Sequence, residues 1–438
     1  MKSSPVKTII LFFIALILAG TALLCLPFAR HDNAVFSFIN CLFTATSAVC
    51  VTGLSVVDIG TYFNACGQII ILALVQIGGL GYMLVSTGIG LILGKMALKD
   101  RQIMQEIFDI SSFDELFKLL KKAIFVVLSI ELIGAAIFAF SFAKTYSISK
   151  SIYLGIFYSI TSFCNAGFSV FSNSLENFSQ TPLVLYTSIV LIILGGLGFF
   201  VLVDIIDKFI RKNVRLTFHS KVILWMTFGL IVFAFLSFFC AEYFTLIKEH
   251  SLSYVINNSL FQAVSARTAG FNSVPVNIMT SFSTFVIIIL MFIGGGPGST
   301  AGGIKITTLT LVFVFIRSTL KGDDEFPFVK KNMDEDLIKK ALLVFVLMLF
   351  FVTVFILLLL YTQRQLEPIK IIFEAVSGFC TVGLSLGITS QFDLTGKLIL
   401  IVAMLVGRIG AITILIYLMN TKFIPRNIKY PEGKLLIG

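Results

Sequence analysis

Charge is scarce in this chain. Of its 438 residues only 13% are Asp, Glu, Lys or Arg, while 57% are hydrophobic, and the mean hydropathy is +1.00. A soluble protein keeps about a quarter of its residues charged, so most of the apolar surface here is expected to face lipid. Histidine is scarce as well. His31, His219 and His250 all fall near loops or the ends of apolar runs. No paired carboxylates and no nucleophile–base pattern lie inside those runs, which argues against an enzyme. Seven cysteines, an odd number, sit mostly within or beside apolar segments, as buried free thiols do, and not as a disulfide framework. Long polar stretches are missing too, so no soluble domain is left over. The formal net charge of +10 reflects the cytoplasmic Lys and Arg excess of polytopic proteins, with no call for nucleic acid.

What is present is a series of apolar runs near the ~20 residues that cross a bilayer. They lie at 8–28, 66–94, 119–143, 181–206, 219–247, 280–316, 337–361 and 395–420. The first reads as a transmembrane helix. It is long for a signal-peptide core, and Arg30-His31-Asp32 offers no small-residue cleavage site. Cys25 follows Leu24, not a small residue, so lipid modification there is not expected.

A short signature recurs four times, at Cys50-Val51-Thr52-Gly53-Leu54-Ser55, Cys164-Asn165-Ala166-Gly167-Phe168-Ser169, Arg267-Thr268-Ala269-Gly270-Phe271-Asn272 and Cys380-Thr381-Val382-Gly383-Leu384-Ser385. A glycine cluster beginning at Gly78, Gly195, Gly294 or Gly407 follows each signature 24 to 28 residues further on. That constant register marks internal repetition. The expected fold is all-α and membrane-integral, with four parallel helix–pore-loop–helix repeats around a central pseudo-fourfold pore. Repeat 1 covers 1–95 and repeat 2 covers 96–212. Repeat 3, at 213–322, contains a broken second helix and a gate loop; repeat 4 and a cytoplasmic tail occupy 323–438.

The short apolar segments before each signature (about 35–49, 151–163, 254–266 and 369–379) cannot span a bilayer. They suit re-entrant half-helices, which are tolerated at membrane depth where they are buried or line a watery cavity. Charge supports this arrangement. With eight spans and four re-entrant segments, the N-terminus and stretches 95–122, 208–221, 317–340 and 422–434 share one side and hold 23 of the 33 Lys and Arg. The positive-inside rule then puts both termini in the cytoplasm.

Glycine at each turn has a physical reason. Successive carbonyls face one axis only if the backbone alternates between left- and right-handed conformations, and glycine enters positive φ at little cost. Four such turns at one depth would give a ring of carbonyls able to replace the hydration shell of potassium. The half-helix C-termini would add negative partial charge. The filter candidates are Val51, Thr52 and Gly53; Asn165, Ala166 and Gly167; Thr268, Ala269 and Gly270; and Thr381, Val382 and Gly383.

The stretch Gly294-Gly295-Gly296-Pro297-Gly298-Ser299-Thr300-Ala301-Gly302-Gly303 interrupts the sixth apolar run, at 280–316, and cannot be ordinary helix interior. By register it lies below the filter, where an unwound segment could obstruct the path; it is read as a gate. Arg408 stands where the first two repeats have Gly79 and Gly196. A charge at that depth is expected to face the interior, and carbonyls or hydroxyls of 294–303 are its expected partners, as barrier, latch or structural tie. Lys305 is a weaker candidate of the same kind, and Glu131 is read as a shielded packing pair. Cys50, Cys164 and Cys380, with Arg267 in the third copy, share one register position and suit packing behind the filter better than a soft-metal site.

These motifs resemble the membrane subunit of the Ktr/Trk/HKT superfamily of potassium transporters, closest to the Ktr B-type subunit. The resemblance rests on QIGGLGYM (76–83), SARTAGFN (265–272), GGPGSTAGGIK (295–305), GRIGAIT (407–413) and NIKYPEG (427–433). It implies channel-like potassium uptake across the cell (inner) membrane, sodium-stimulated in Ktr systems, with Na+ as a possible co-ion. It also implies a homodimer with a cytosolic RCK ring, of the Ktr A type, on the inner face. No cofactor is expected on this chain; ATP/ADP or NAD would bind only the regulatory partner. The four filter glycines, the gate at 294–305 and the pore arginine Arg408 carry over. An organic-solute carrier is the competing class, but such folds rest on inverted repeats or multi-helix halves, and a polar mid-membrane cluster is missing here.

Overall fold

A computed structural model describes residues 5–93, 113–210, 215–246, 251–323 and 325–410. The chain runs through α1 (Pro5–Cys25), α2 (Phe38–Val49) and α3 (Ala65–Leu93), then α4 (Phe113–Phe142), α5 (Ile148–Phe163), α6 (Pro182–Leu197) and α7 (Phe199–Ile210). It continues through α8 (Phe218–Leu246), α9 (Leu252–Ser265), α10 (Ser281–Phe292) and α11 (Ile306–Lys321), and closes with α12 (Glu335–Thr362), α13 (Pro368–Phe379) and α14 (Leu394–Ile409). A two-residue antiparallel ladder pairs Pro327–Phe328 with Lys331–Asn332 between α11 and α12.

Among the described residues, four helices are long and apolar enough to cross a bilayer unbroken: Lys7–Cys25, Lys118–Phe142, Phe218–Tyr243 and Glu335–Thr362. They belong to α1, α4, α8 and α12, so the protein is a multi-pass membrane protein. Each is followed by a helix of 12 to 16 residues, α2, α5, α9 or α13, too short to cross. These half-helices are largely buried: every residue of α2 from Phe43 to Val49 is. A polar-capped helix end at membrane depth is tolerable only in such surroundings.

The interruption expected in the span at 280–316 is present, and the second helices of units one and two break as well. Gly81 sits inside α3 at φ 71° and ψ 169°. Helices α6 and α7 meet at 105° across Gly198 at φ 101°. Between α10 and α11 the chain is non-helical over 293–305. Helix α14 stops at Ile409, where Gly410 takes φ 95°, short of the run expected over 395–420. Its remainder, with the cytoplasmic tail and NIKYPEG, lies outside the described residues.

The glycine clusters allow backbones to touch. A Cβ on Gly78 would lie 2.0 Å from the Val49 carbonyl oxygen, on Gly195 1.8 Å from that of Phe163, and on Gly407 1.6 Å from that of Phe379. Val49, Phe163 and Phe379 are the last residues of α2, α5 and α13. In these three units the second helix therefore crosses the C-terminal end of its own half-helix at a separation only glycine permits; in the third, a Cβ on Gly294 would meet the Gly302 carbonyl of the loop instead, at 1.7 Å. Packing also runs from one unit to the next: α3 lies on α5, α6 on α9, α10 on α13, and α14 on α2. The last unit closes on the first.

Candidate functional site: four glycine turns in one ring

The half-helices end at Cys50, Cys164, Ala266 and Cys380, and the backbone then alternates in hand. Val51, Asn165, Thr268 and Thr381 take φ of 57°, 56°, 70° and 49°; two residues later Gly53, Gly167, Gly270 and Gly383 take 89°, 64°, 78° and 94°. The residue between each pair does not. A left-handed non-glycine residue costs about 1–2 kcal/mol, and three of these four are β-branched. The strain is held by the half-helix behind. The Thr52 amide donates to the Ser47 carbonyl (2.8 Å), that of Ala166 to Thr161 (2.8 Å), that of Ala269 to Ser265 (3.0 Å) and that of Val382 to Ser377 (2.9 Å). The hydroxyls of Ser47 and Ser377 further accept from the Gly53 and Gly383 amides, each at 3.1 Å. With the amides tied backward, the carbonyls are left to face the other way.

The four turns meet. A Cβ on Gly53 would stand 2.3 Å from the Ala166 oxygen, on Gly167 2.9 Å from that of Ala269, on Gly270 2.4 Å from that of Val382, and on Gly383 2.2 Å from that of Thr52. The contacts run first to second, second to third, third to fourth and fourth back to first. All four glycines border one cavity of about 330 Å³, with Ser55, Asp58, Ser169, Asn272 and Ser385 in its wall. The Thr52, Thr268 and Thr381 hydroxyls are buried without a hydrogen-bond partner. Four half-helix C-termini converge here, so the backbone field favours a cation.

Against the other side of the ring lies the loop 293–305. A Cβ on Gly302 would meet the Thr381 hydroxyl at 2.0 Å and the Cys380 carbonyl at 2.3 Å, so this loop abuts the fourth turn. Its freed backbone groups find protein partners. The Gly294 amide donates to Ile304, Ile304 to Phe292, Gly296 to Gly196 (2.8 Å) and Phe199 to Gly298 (2.9 Å). Thr300 Oγ1 donates to the Phe163 carbonyl at 3.2 Å, and Arg267 Nη2 to that of Gly294 at 3.2 Å. Lys305 Nζ donates to the Ala301 carbonyl at 2.7 Å.

Arg408 reaches the loop as expected, with Nη1 2.6 Å from the Thr300 carbonyl. Sequence reasoning missed its other half: Nη2 donates to Gly78 at 2.6 Å, tying the loop to the first unit. Glu131 accepts from Gln76 Nε2 at 3.0 Å, a pairing within the helix bundle. Cys50, Cys164 and Cys380 are buried free thiols, and Gly79 leaves room for Cys164, whose sulfur a Cβ there would meet at 2.8 Å. Glu374 was also missed; it is a fully buried carboxylate on α13, and an acid inside a short apolar segment was the signal available.

The family profile described as TrkH, a cation transport protein, matches residues 2–425. The chain is 37% identical to the Ktr system potassium uptake protein B of Bacillus subtilis, over 100% of this chain and 97% of that one. It is 34% identical to the potassium/sodium uptake protein NtpJ of Enterococcus hirae, over 100% and 98%. Its fold is similar to the crystal structure of the potassium transporter TrkH from Vibrio parahaemolyticus, with a TM-score of 0.75, 21% identity, and coverage of 95% of this chain and 85% of that one. These relatives are named for transport and uptake, not for catalysis. The chain belongs to the TrkH family of cation transport proteins.

Proposed function

We propose that this TrkH-family chain takes up potassium through a pore on the axis of its four glycine turns. The observation that carries the reading is the closed cycle in which each glycine borders the next turn's carbonyl. Oxygens of Val51–Gly53, Asn165–Gly167, Thr268–Gly270 and Thr381–Gly383 stand in for the water of a dehydrated cation. Helix C-termini and the polar cavity wall offset the cost of dehydration. The four units, divided near 95, 212 and 322, act as parallel repeats around a pseudo-fourfold axis.

The loop 294–303, with Lys305 and Arg408, serves as the gate. It abuts the ring, carries six glycines and a proline in ten residues, and is stapled by Arg408 to units one and four. Two cationic side chains beside the path also raise the energy of a passing cation, so the closed loop is both an obstacle and an electrostatic barrier. Sodium stimulation, a homodimer and control by a cytosolic nucleotide-binding ring complete the proposal. The Ktr system name of one relative supports a partner and the potassium/sodium name of another a role for sodium; the basic side, cytoplasmic with both termini in this proposal, is where the ring would dock. The test is flux of rubidium and sodium into liposomes holding purified protein, with and without a cytosolic partner. Rubidium entry competed by potassium well ahead of sodium is expected; equal competition refutes the reading.

A further inference from the structure

We infer that Glu374 is the positioning residue that sets the shape of the fourth turn and, through it, ion discrimination; this rests on reading the glycine ring as the selecting element. Glu374 lies on α13 nine residues before Gly383, with no exposed surface, and is outside the ring itself. Oε1 accepts from the Ser385 hydroxyl and from the Leu386 amide at 3.1 Å. Oε2 accepts from Thr389 Oγ1 at 2.9 Å. Every one of these partners is a donor, which is what an acceptor-only carboxylate requires. No ion pair is formed by Glu374 among the described residues.

Both carboxylate oxygens are thus committed to the segment that leaves the ring. One turn further along α13, Ser377 accepts from the Gly383 amide at 3.1 Å and donates to the Leu384 carbonyl at 2.6 Å. The half-helix therefore grips the strand at Gly383–Leu384 and again at 385–389, which leaves the Val382 and Gly383 carbonyls little freedom to swing. Ser385 is itself the pivot, since its Oγ accepts from the Gly387 amide at 2.8 Å.

The other units show how unequal this bracing is. The matching pair in unit two is Tyr158 and Ser169, whose hydroxyls are 2.6 Å apart, a neutral version of the strut. In unit one Thr44 bonds back to its own helix at Asn40 (2.8 Å), and unit three has Phe261. The contact cycle places units two and four on opposite sides of the ring. In unit three the matching Asn272 is held from outside its own unit, donating to Glu176 at 2.6 Å; only the fourth turn is held by a carboxylate on its own half-helix. Charge-assisted bonds are roughly twice as strong as neutral ones, so Glu374 should dominate.

The test compares rubidium and sodium flux in liposomes for wild type, Glu374→Gln, Glu374→Ala, Tyr158→Phe and Gly383→Ser, with thermal unfolding as a check on the fold. Glu374→Ala should lower the rubidium-to-sodium ratio by about fivefold, and Glu374→Gln by less, since an amide keeps one acceptor. Tyr158→Phe should change it by less than about twofold, in keeping with the weaker neutral bond. If Glu374→Ala does not fold, Ser385→Ala and Thr389→Val remove its donors singly and should move the ratio the same way. Flux that falls with an unchanged ratio would show a merely structural carboxylate and overturn the inference. If Gly383→Ser shifts the ratio and the Glu374 variants do not, this inference fails alone; if Gly383→Ser has no effect either, the reading of the ring fails with it.

Discussion

Replacing Gly53 by serine strikes the ring at its closest kind of contact. The added Cβ would start 2.3 Å from the Ala166 oxygen, whereas real Cβ atoms essentially never approach below 3.0 Å. Turns one and two must part by about 0.7 Å, more than the difference between the radii of potassium and sodium. The serine must also adopt φ near 89°, at about 1–2 kcal/mol. One of four carbonyl sets then no longer fits the larger ion. A loss of about 1.4 kcal/mol of discrimination is a tenfold drop in the potassium-to-sodium ratio, and that is the expected outcome in a competition assay of rubidium uptake. Gly387→Ala is the control: it imposes the same backbone strain at φ 84° but has nothing within 4 Å of the new Cβ. Its ratio should match wild type. An unchanged ratio in Gly53→Ser, or an equal change in Gly387→Ala, would refute the reasoning.

Three other outcomes are expected. Arg408→Gln removes the tie from Thr300 to Gly78 and should raise rubidium flux severalfold in the absence of a cytosolic partner; a fall in flux from a well-folded variant would sink the latch. Gly407→Ala places a Cβ 1.6 Å from the Phe379 carbonyl and should destabilise the detergent-solubilised protein by more than about 2 kcal/mol, read as a lower Tm, while Gly229→Ala, with open space around it, should not. Asp393, which caps α14 from the loop, is held below its ordinary carboxyl pKa of 3.8, first by the Gly396 amide and then by Gln363. Its contribution is full above that ordinary value and is lost as pH falls through the lowered one. The Tm advantage of wild type over Asp393→Asn should therefore be present at pH 6 and shrink steadily as the pH is taken below 3.8.

Much of this architecture could be read from residue types. Gly53, Gly167, Gly270 and Gly383 announce positive φ because only glycine takes it freely, and their constant distance from the second clusters gave the fourfold order. The non-helical stretch around Pro297 was legible for the same reason. What the residue types hid was set by neighbours in space. Nothing in Val51 or Thr381 marks a left-handed residue; that conformation is imposed by amides bound back to Ser47 and Ser377. The second partner of Arg408 is a carbonyl 330 positions away, and carbonyls carry no sequence signal. The helix break at Gly198 and the helix end at Gly410 were hidden inside apolar runs that hydropathy reads as continuous. Glu374 looked like one acid in a short amphipathic segment until Ser385 and Thr389 were seen around it.

The most direct measurement is anomalous diffraction from crystals of the protein grown in rubidium. A rubidium peak on the axis of the four turns, ringed by the carbonyl oxygens of Thr52, Ala166, Ala269 and Val382, is the predicted result. A ring free of rubidium in crystals that hold the ion elsewhere along the chain would contradict the account.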